Sequence, residues 1–342
     1  MDFQALSLSA NIVIFIIAAV IIGVFGVLMT HVARLLAAQT GMGEALMGAV
    51  FIGASTSLSG ITASMTAAAA GHAQLAVSNA LGGIAAQTVF LAIADFFYRK
   101  ANLEHAAASA ENLMMSAFLL TLLAILLLSF TVPTYSIAAI HPGSVLLILG
   151  YLFGVRILAK THKMPMWIPV MTRDTRQEKD TAGARRRIQL TSPHWLTFLI
   201  YSAIVGVAGW VLSKTGIAIA AATNTSEGLV GGVFTAVSTS LPELVIAVTA
   251  VRLKSLTLAV GDIIGGNAFD TLFIAMSDVF YRKGPIYADV SINEKFWLAI
   301  TILMSGILLM GLLHRERHGI ANIGWESFLV LMLYIISLVY IT

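Results

Sequence analysis

The feature that most constrains this chain is a near-continuous series of long hydrophobic runs. An α-helix rises about 1.5 Å per residue, so a run of roughly 18 residues or more can cross the hydrocarbon core of a bilayer. Of the 342 residues, 58% are hydrophobic and 11% are charged, a balance outside the range of ordinary soluble domains. The sequence therefore predicts an all-α polytopic membrane protein with ten transmembrane helices, near residues 10–34, 45–70, 74–97, 113–131, 135–158, 195–217, 228–250, 255–280, 296–313 and 322–341.

The charged residues fit a membrane topology better than nucleic-acid binding. The formal net charge is only +3, and an external amino terminus places most Lys and Arg residues in cytoplasmic loops, as the positive-inside rule requires. The first run lacks the features of a cleaved secretory signal, so it is predicted to be a true span. We expect an integral protein of the plasma (inner) membrane, with both termini external, membrane lipid as its surroundings and no nucleic-acid partner.

One long polar connection, at residues 160–193, divides the chain into a first half, 1–159, and a second half, 194–342. Between residues 160 and 190 it carries eight Lys and Arg residues against three acidic ones. A solvated cytoplasmic loop of this composition agrees with the positive-inside rule. Binding of anionic lipid head groups or of a regulator is the alternative for the same composition.

The two halves contain an internal duplication. Residues 55–100 align with residues 238–283 at a constant offset of 183 and without a gap, and 20 of the 46 aligned positions are identical. The identities include Ser, Thr, Gly, Asp, Arg and Lys, which shared hydrophobicity does not explain. We therefore predict two structural repeats, at residues 40–100 and 223–283.

The spacing of the repeats predicts that they are inverted with respect to each other. The offset carries five predicted spans, an odd number, so the second copy enters the bilayer from the opposite side. Inverted repeats are a recurring plan of secondary transporters, in which the substrate site lies near the midplane between the repeats and is built by broken helices. Helix breaks are expected at Pro242 and at two glycine pairs, residues 82–83 and 265–266.

Two acids are predicted near the middle of spans. Glu243 lies in the seventh span and Asp270 in the eighth, each at a cost of about 2.5 to 3.5 kcal/mol on insertion scales. Intramembrane acids of this kind are functional candidates by default. Asp262 is expected nearer the cytoplasmic mouth, as a vestibule acid. Two pairs spaced four residues apart, Asp95 with Arg99 and Asp278 with Arg282, are expected to form surface ion pairs at helix ends.

The residues around these acids resemble the sodium/calcium exchanger family of cation/calcium antiporters. The second repeat reads STSLPE at 238–243 and GDIIGGNAFD at 261–270, similar to the family's GTSLPE-like and GNIIGSNIFN-like stretches. The resemblance implies two inverted five-span halves, transport without enzymatic catalysis or a cofactor, and inorganic cations as substrates. It also implies that cation ligands come from Thr239, Ser240, Glu243 and Asp270.

The first repeat departs from this pattern. It reads STSLSG at 55–60 and SNALGGIAAQ at 78–87, so Gly60 stands at the position of Glu243, and Gln87 at the position of Asp270. Members of the family usually draw an acid from each repeat. Thr56 and Ser57 remain, and with Gln87 they complete the predicted metal site, which holds two carboxylates and is expected to couple fewer counterions per cycle.

Several functions stay open at this point. Two carboxylates supplemented by hydroxyls, carbonyls, an amide and water suit the irregular oxygen shell of Ca²⁺, whereas Mg²⁺ prefers to keep its waters. The same pair of acids suits one Na⁺ and one proton. The sequence thus predicts an antiporter exchanging Ca²⁺ against Na⁺ or H⁺, with a monovalent cation/proton antiporter and a passive cation channel as alternatives. An intramembrane protease fits poorly, because no histidine lies at a comparable depth to act as a base.

Overall fold

The computed structural model describes residues 3–40, 46–137, 139–163, 165–175, 193–222, 230–319 and 323–341. Most of the predicted linker, residues 176–192, and the start of the second predicted repeat, residues 223–229, lie outside the described residues. In the described part of the chain the α-helices are α1 (Leu8–Thr40), α2 (Gly53–Thr56), α3 (Leu58–Ala69), α4 (Ala73–Asp95), α5 (Leu103–Ala106), α6 (Ala110–Thr131), α7 (Pro142–Lys163), α8 (Pro193–Ala222), α9 (Ala236–Arg252), α10 (Leu256–Phe280), α11 (Ile292–His314) and α12 (Trp325–Ile341).

Eight of the described helices are long and apolar enough to cross a membrane, namely α1, α4, α6, α7, α8, α9, α10 and α11. The predicted all-α class is confirmed for the described residues. Two of the ten predicted spans correspond to shorter apolar segments, Met47–Thr56 followed by α3 for the second, and Trp325–Tyr340 for the tenth. The count of ten spans stays a prediction.

Helices α4 and α10 form the centre of the molecule. Their apolar stretches are 94% and 89% buried, whereas that of α1 is only 22% buried. A helix enclosed by other helices meets little lipid, so it can carry small and polar residues that pack and hydrogen-bond inside the protein. The two central helices are therefore the natural place for the polar residues of the predicted site.

The departures from α-helical geometry lie upstream of the expected positions. Helix α9 continues through Pro242, and α4 and α10 continue through their glycine pairs, so the breaks predicted there are wrong. Instead, π-helical turns precede α2 and α9, at Met47–Ile52 and Val230–Thr235, and these turns correspond at the offset of 183 residues. A membrane helix accommodates a proline where neighbouring groups satisfy the freed carbonyl, and π turns occur frequently at functional sites.

The glycines of α10 serve close helix packing. A Cβ atom added at Gly53 would lie 2.9 Å from the backbone nitrogen of Gly266, and one added at Gly265 would collide with the backbone of Ala49. The segment from Met47 to Thr56 therefore packs with its backbone directly against α10. Small residues allow this approach, which is the usual way that membrane helices gain van der Waals contact.

Asp95 and Asp278 are buried anchors and not the surface residues that the sequence predicts. Both side chains are fully buried. Each carboxylate accepts hydrogen bonds from two backbone N–H groups at 2.6 to 3.2 Å, one eight residues further along and one from a distant segment. The donors correspond at the offset of 183 residues, Leu103 with Ile286 and His141 with Gly324. The likeness of the two halves thus extends into segments where the sequences no longer match.

Candidate cation-binding site

The predicted site residues of both repeats meet in one small buried cavity between α3, α4, α9 and α10. Six of the seven line it, and the seventh, Thr56, lies just behind the lining. The lining residues are Ser57, Gly60, Asn79, Gly83, Gln87, Thr239, Ser240, Glu243, Asp270 and Phe273. Residues far apart in the sequence therefore contribute to one site, as the alignment of the repeats leads one to expect.

Asp270 is held by residues of the first repeat. The Ser57 hydroxyl donates to its Oδ1 atom at 2.6 Å, and the Gln87 amide donates to its Oδ2 atom at 2.6 Å. The same amide nitrogen also donates to the Ser240 hydroxyl at 3.3 Å. Both bonds to Asp270 lie at the short end of the usual hydrogen-bond range. Ser57 of the first repeat thus bonds to Asp270 of the second, and Ser240 of the second repeat bonds to Gln87 of the first. Neutral donors fix Asp270 in position.

Four buried oxygen atoms of the cavity residues have no hydrogen-bond donor among the described residues. They are the two carboxylate oxygens of Glu243, the Oε1 atom of Gln87 and the Oδ1 atom of Asn79. Glu243 itself is 1% exposed, and it lies within electrostatic range of Asp270 and Asp262. Donorless carboxylate oxygens also occur outside the cavity, on Asp262, Glu104 and Glu326, but those of the cavity residues lie together and call for a common explanation. A bound cation supplies one, because it satisfies several oxygen atoms together.

The two predicted threonines present oxygen rather than protons to their surroundings. Thr56 and Thr239 each donate their hydroxyl proton to backbone carbonyls three and four residues earlier, at 2.9 to 3.1 Å. Their acceptors again correspond at the offset of 183 residues. Thr239 lines the cavity, and Thr56 is fully buried next to the lining residue Ser57. Both hydroxyl oxygens keep lone pairs that can face a cation.

Asn79 and Phe273 are cavity residues that the sequence analysis missed, and Asp262 is an acid whose position it predicted wrongly. Asp262 is fully buried and does not line the cavity, so it is not a vestibule acid. Asn79 is its counterpart at the offset of 183 residues, and comparing the two positions was the available signal for Asn79. The signal for Phe273 was weaker, because its counterpart Phe90 is also an aromatic residue in a hydrophobic run.

The donor set suits a cation bound by few charges and several neutral oxygens. Among the described residues no three His, Cys, Asp or Glu side chains come together as a metal-binding group. Glu243 and Asp270 supply the negative charge, and hydroxyl and amide oxygens supply the remaining contacts. Ca²⁺ accepts six to eight oxygen ligands in irregular geometry, and such a mixed set is compatible with it.

Eight long apolar helices around a small buried polar cavity define a polytopic helical membrane protein. The family model described as "Sodium/calcium exchanger protein" matches residues 10–159 and 193–342, in both halves of the chain. The chain therefore belongs to the sodium/calcium exchanger family, which confirms the resemblance seen in its motifs.

Known proteins give further comparisons. The sodium/calcium exchanger MaX1 of Methanosarcina acetivorans is 28% identical over 111 residues, and that match spans about a third of each chain. The sodium–calcium exchanger NCX_Mj has a similar fold. Its structure soaked with Na⁺ and without Ca²⁺ gives a TM-score of 0.70 at 16% identity, over 98% of this chain and 100% of that one. Its structure soaked with Na⁺ and Sr²⁺ gives a TM-score of 0.69 at 16% identity, with the same coverage.

Proposed function

We propose that this protein is a secondary active cation antiporter that exchanges Ca²⁺ against Na⁺ or H⁺ by alternating access. The observation that carries the proposal is the set of four donorless oxygens on Glu243, Gln87 and Asn79, which line one buried cavity together with Asp270. A cation entering this cavity meets oxygen atoms that nothing else in the described structure satisfies. Membership of the sodium/calcium exchanger family and the names of the similar proteins support the choice of ions.

The charge of the cavity supports a divalent substrate. Glu243 and Asp270 are the acids that line it, and together they neutralise one Ca²⁺. Thr239, Ser57 and Ser240 add hydroxyl oxygens, so a dehydrated ion finds replacements for its water shell.

The architecture that we propose is a pair of inverted repeats, in halves 1–159 and 194–342 joined by the 160–193 linker. Three features recur at the offset of 183 residues: the π turns before α2 and α9, the backbone bonds of Asp95 and Asp278, and the threonine bonds near the cavity. Repeats related in this way place a site between them that can open to either side in turn.

Flux measurements in proteoliposomes test the proposed exchange. We expect radioactive Ca²⁺ to enter vesicles only when an outward gradient of Na⁺ or of protons is present, because an alternating-access carrier returns with a counterion. Varying the two gradients separately identifies the counterion. Uptake of Ca²⁺ down its own gradient with no counterion would indicate a channel. Exchange of Na⁺ for protons would indicate the monovalent antiporter if Ca²⁺ is not transported and does not inhibit the exchange.

We propose that the protein lies in the plasma membrane with its amino terminus outside. Ten spans, an even number, then place the carboxyl terminus outside as well. In this topology the linker is cytoplasmic and the loop between α6 and α7 is external. The chain has no cysteine of its own. A cysteine replacing Met166, which is fully exposed in the linker, is expected to resist an impermeant thiol reagent added to intact cells.

Ser136 provides the matched site for this labelling experiment. It is an exposed residue of the loop between α6 and α7, so the Ser136→Cys variant should react with the same reagent in intact cells. Both variants should react after the membrane is permeabilised. The reverse result, with Met166→Cys labelled and Ser136→Cys protected, would show that the chain has the opposite orientation in the membrane.

A further inference from the structure

Phe273 borders the cavity on the side that faces Gly60. The two repeats place Gly60 at the position that corresponds to Glu243, and Phe273 at the position that corresponds to Phe90. Phe273 is 3% exposed and lines the cavity together with Gly60 and Glu243. The lining of the cavity thus includes the carboxylate of Glu243 and, beside the glycine that corresponds to it, a phenyl ring.

The ring occupies the space into which a side chain at Gly60 would project. A Cβ atom added at Gly60 would lie 2.5 Å from the Cε2 atom of Phe273 and 3.0 Å from its Cζ atom. These separations are shorter than van der Waals contact between carbon atoms, which begins near 3.5 Å. A longer side chain that mirrors Glu243 therefore cannot enter the cavity while Phe273 keeps its position.

Phe273 is held in place by a column of aromatic rings. Its ring meets that of Phe269 edge-to-face with centroids 6.3 Å apart, Phe269 meets Tyr151 at 5.8 Å, and Tyr151 meets Phe118 at 5.9 Å. These contacts extend from α10 through α7 to α6. Because aromatic pairs in this range stabilise each other beyond their buried area, moving Phe273 aside disturbs three helices.

The backbone beside Gly60 gives no free oxygen in compensation. The Asn79 amide donates to the Gly60 carbonyl at 3.1 Å and to the Ser64 hydroxyl at 2.8 Å. A phenyl ring supplies no oxygen lone pair, and a dehydrated cation requires several. The Asn79 Oδ1 atom is the donorless oxygen that the described residues offer on the Gly60 side, and one oxygen does not replace the several ligands that a separate ion requires.

We propose that Phe273 is a specificity-determining residue that fills the mirror position of Glu243 and so limits the transport site to one metal cation at a time. The inference rests on the proposed function, since it concerns the number of ions that the same cavity accepts. A single cation lies between the carboxylates of Glu243 and Asp270 with the Gln87 and Asn79 oxygens, and the ring excludes a second cation from the Gly60 side.

Equilibrium dialysis of the purified protein against radioactive Ca²⁺ and, separately, radioactive Na⁺ tests the proposal. The wild type should bind no more than one equivalent of either ion per chain at saturation. The double variant Gly60→Glu/Phe273→Ala removes the ring and adds one negative charge, so it should bind a second equivalent of Na⁺. The Phe273→Ser variant also removes the ring, without adding an acid, and should bind a second equivalent of Na⁺ more weakly. This variant tests the proposal if the double variant does not fold.

The Phe90→Ala variant is the matched control. It removes the same ring at the corresponding position of the first repeat, where Phe90 is buried but does not line the cavity, and it should keep the wild-type stoichiometry. More than one equivalent of an ion in the wild type overturns the proposal. So does the absence of a second equivalent in folded variants that lack the ring. A wild type that binds neither ion at the cavity would instead refute the proposed function.

Discussion

Replacing Glu243 by glutamine is expected to reduce cation-coupled flux by about 100-fold or more. Glu243 lines the cavity, and both of its carboxylate oxygens lack a donor. The substitution keeps the volume of the side chain but removes half of the negative charge that faces the cation. Losing one partner of a buried charged contact costs about 2 to 5 kcal/mol, and 2.7 kcal/mol corresponds to about 100-fold.

Flux in proteoliposomes measures this effect, with thermal unfolding and gel filtration as checks that the variant is folded. Glu104→Gln is the matched control, because Glu104 is also a buried glutamate but lies in α5, away from the cavity. Burial, followed by the nearby Asp95 and Glu326 carboxylates, raises the pKa of Glu104 well above its usual value, and the substitution likewise exchanges a buried carboxyl for an amide of similar size. Wild-type flux in Glu243→Gln would remove the central residue from the proposed site.

Replacing Gly265 by alanine is expected to destabilise the protein. The new Cβ atom would collide with the backbone of Ala49, in the π turn that packs against α10. Backbone cannot rotate away as a side chain can, so the two helices must separate. Overpacking of a tight interface costs about 1 to 3 kcal/mol or more, which corresponds to a fall in Tm of roughly 5 °C.

Gly306→Ala is the control for this experiment. Gly306 lies within α11, and an added Cβ atom has nothing within 4 Å. The substitution should leave Tm unchanged or raise it slightly, because alanine favours a helix over glycine by about 1 kcal/mol. Thermal unfolding of the two variants in the same detergent makes the comparison. Equal Tm values would show that the contact between the π turn and α10 is not tight.

The residues that meet beside Glu243 and Asp270 were predictable from the sequence, because the second repeat resembles the family's motifs and the duplication aligns the first repeat with it. The constant offset pairs each residue of the first repeat with one of the second, so Ser57, Gln87 and Ser240 were found along with the acids. The helical membrane class was predictable for an equally direct reason. A bilayer requires long apolar helices whatever the contacts between them.

The helix geometry was predicted less well. Pro242 and the glycine pairs are local signals for a break, yet α9, α4 and α10 are continuous and the π turns lie upstream. Whether a proline breaks a membrane helix depends on whether neighbouring groups satisfy the freed carbonyl, which is a property of packing. Asp278 illustrates the same limit, because its partners are backbone N–H groups brought close by the fold.

The sequence by itself determined that the chain is a helical membrane protein, that its halves are duplicated, and that two acids lie within neighbouring hydrophobic runs of the second half. Only the tertiary structure decided how the cavity between them is filled. Glu243 points into it without a donor, Asp270 is bonded to Ser57 and Gln87, and Phe273 occupies the space beside Gly60. The physical reason is that a hydrophobic pattern records which residues avoid water, whereas the shape and free oxygens of a buried cavity arise from contacts between helices distant in the chain.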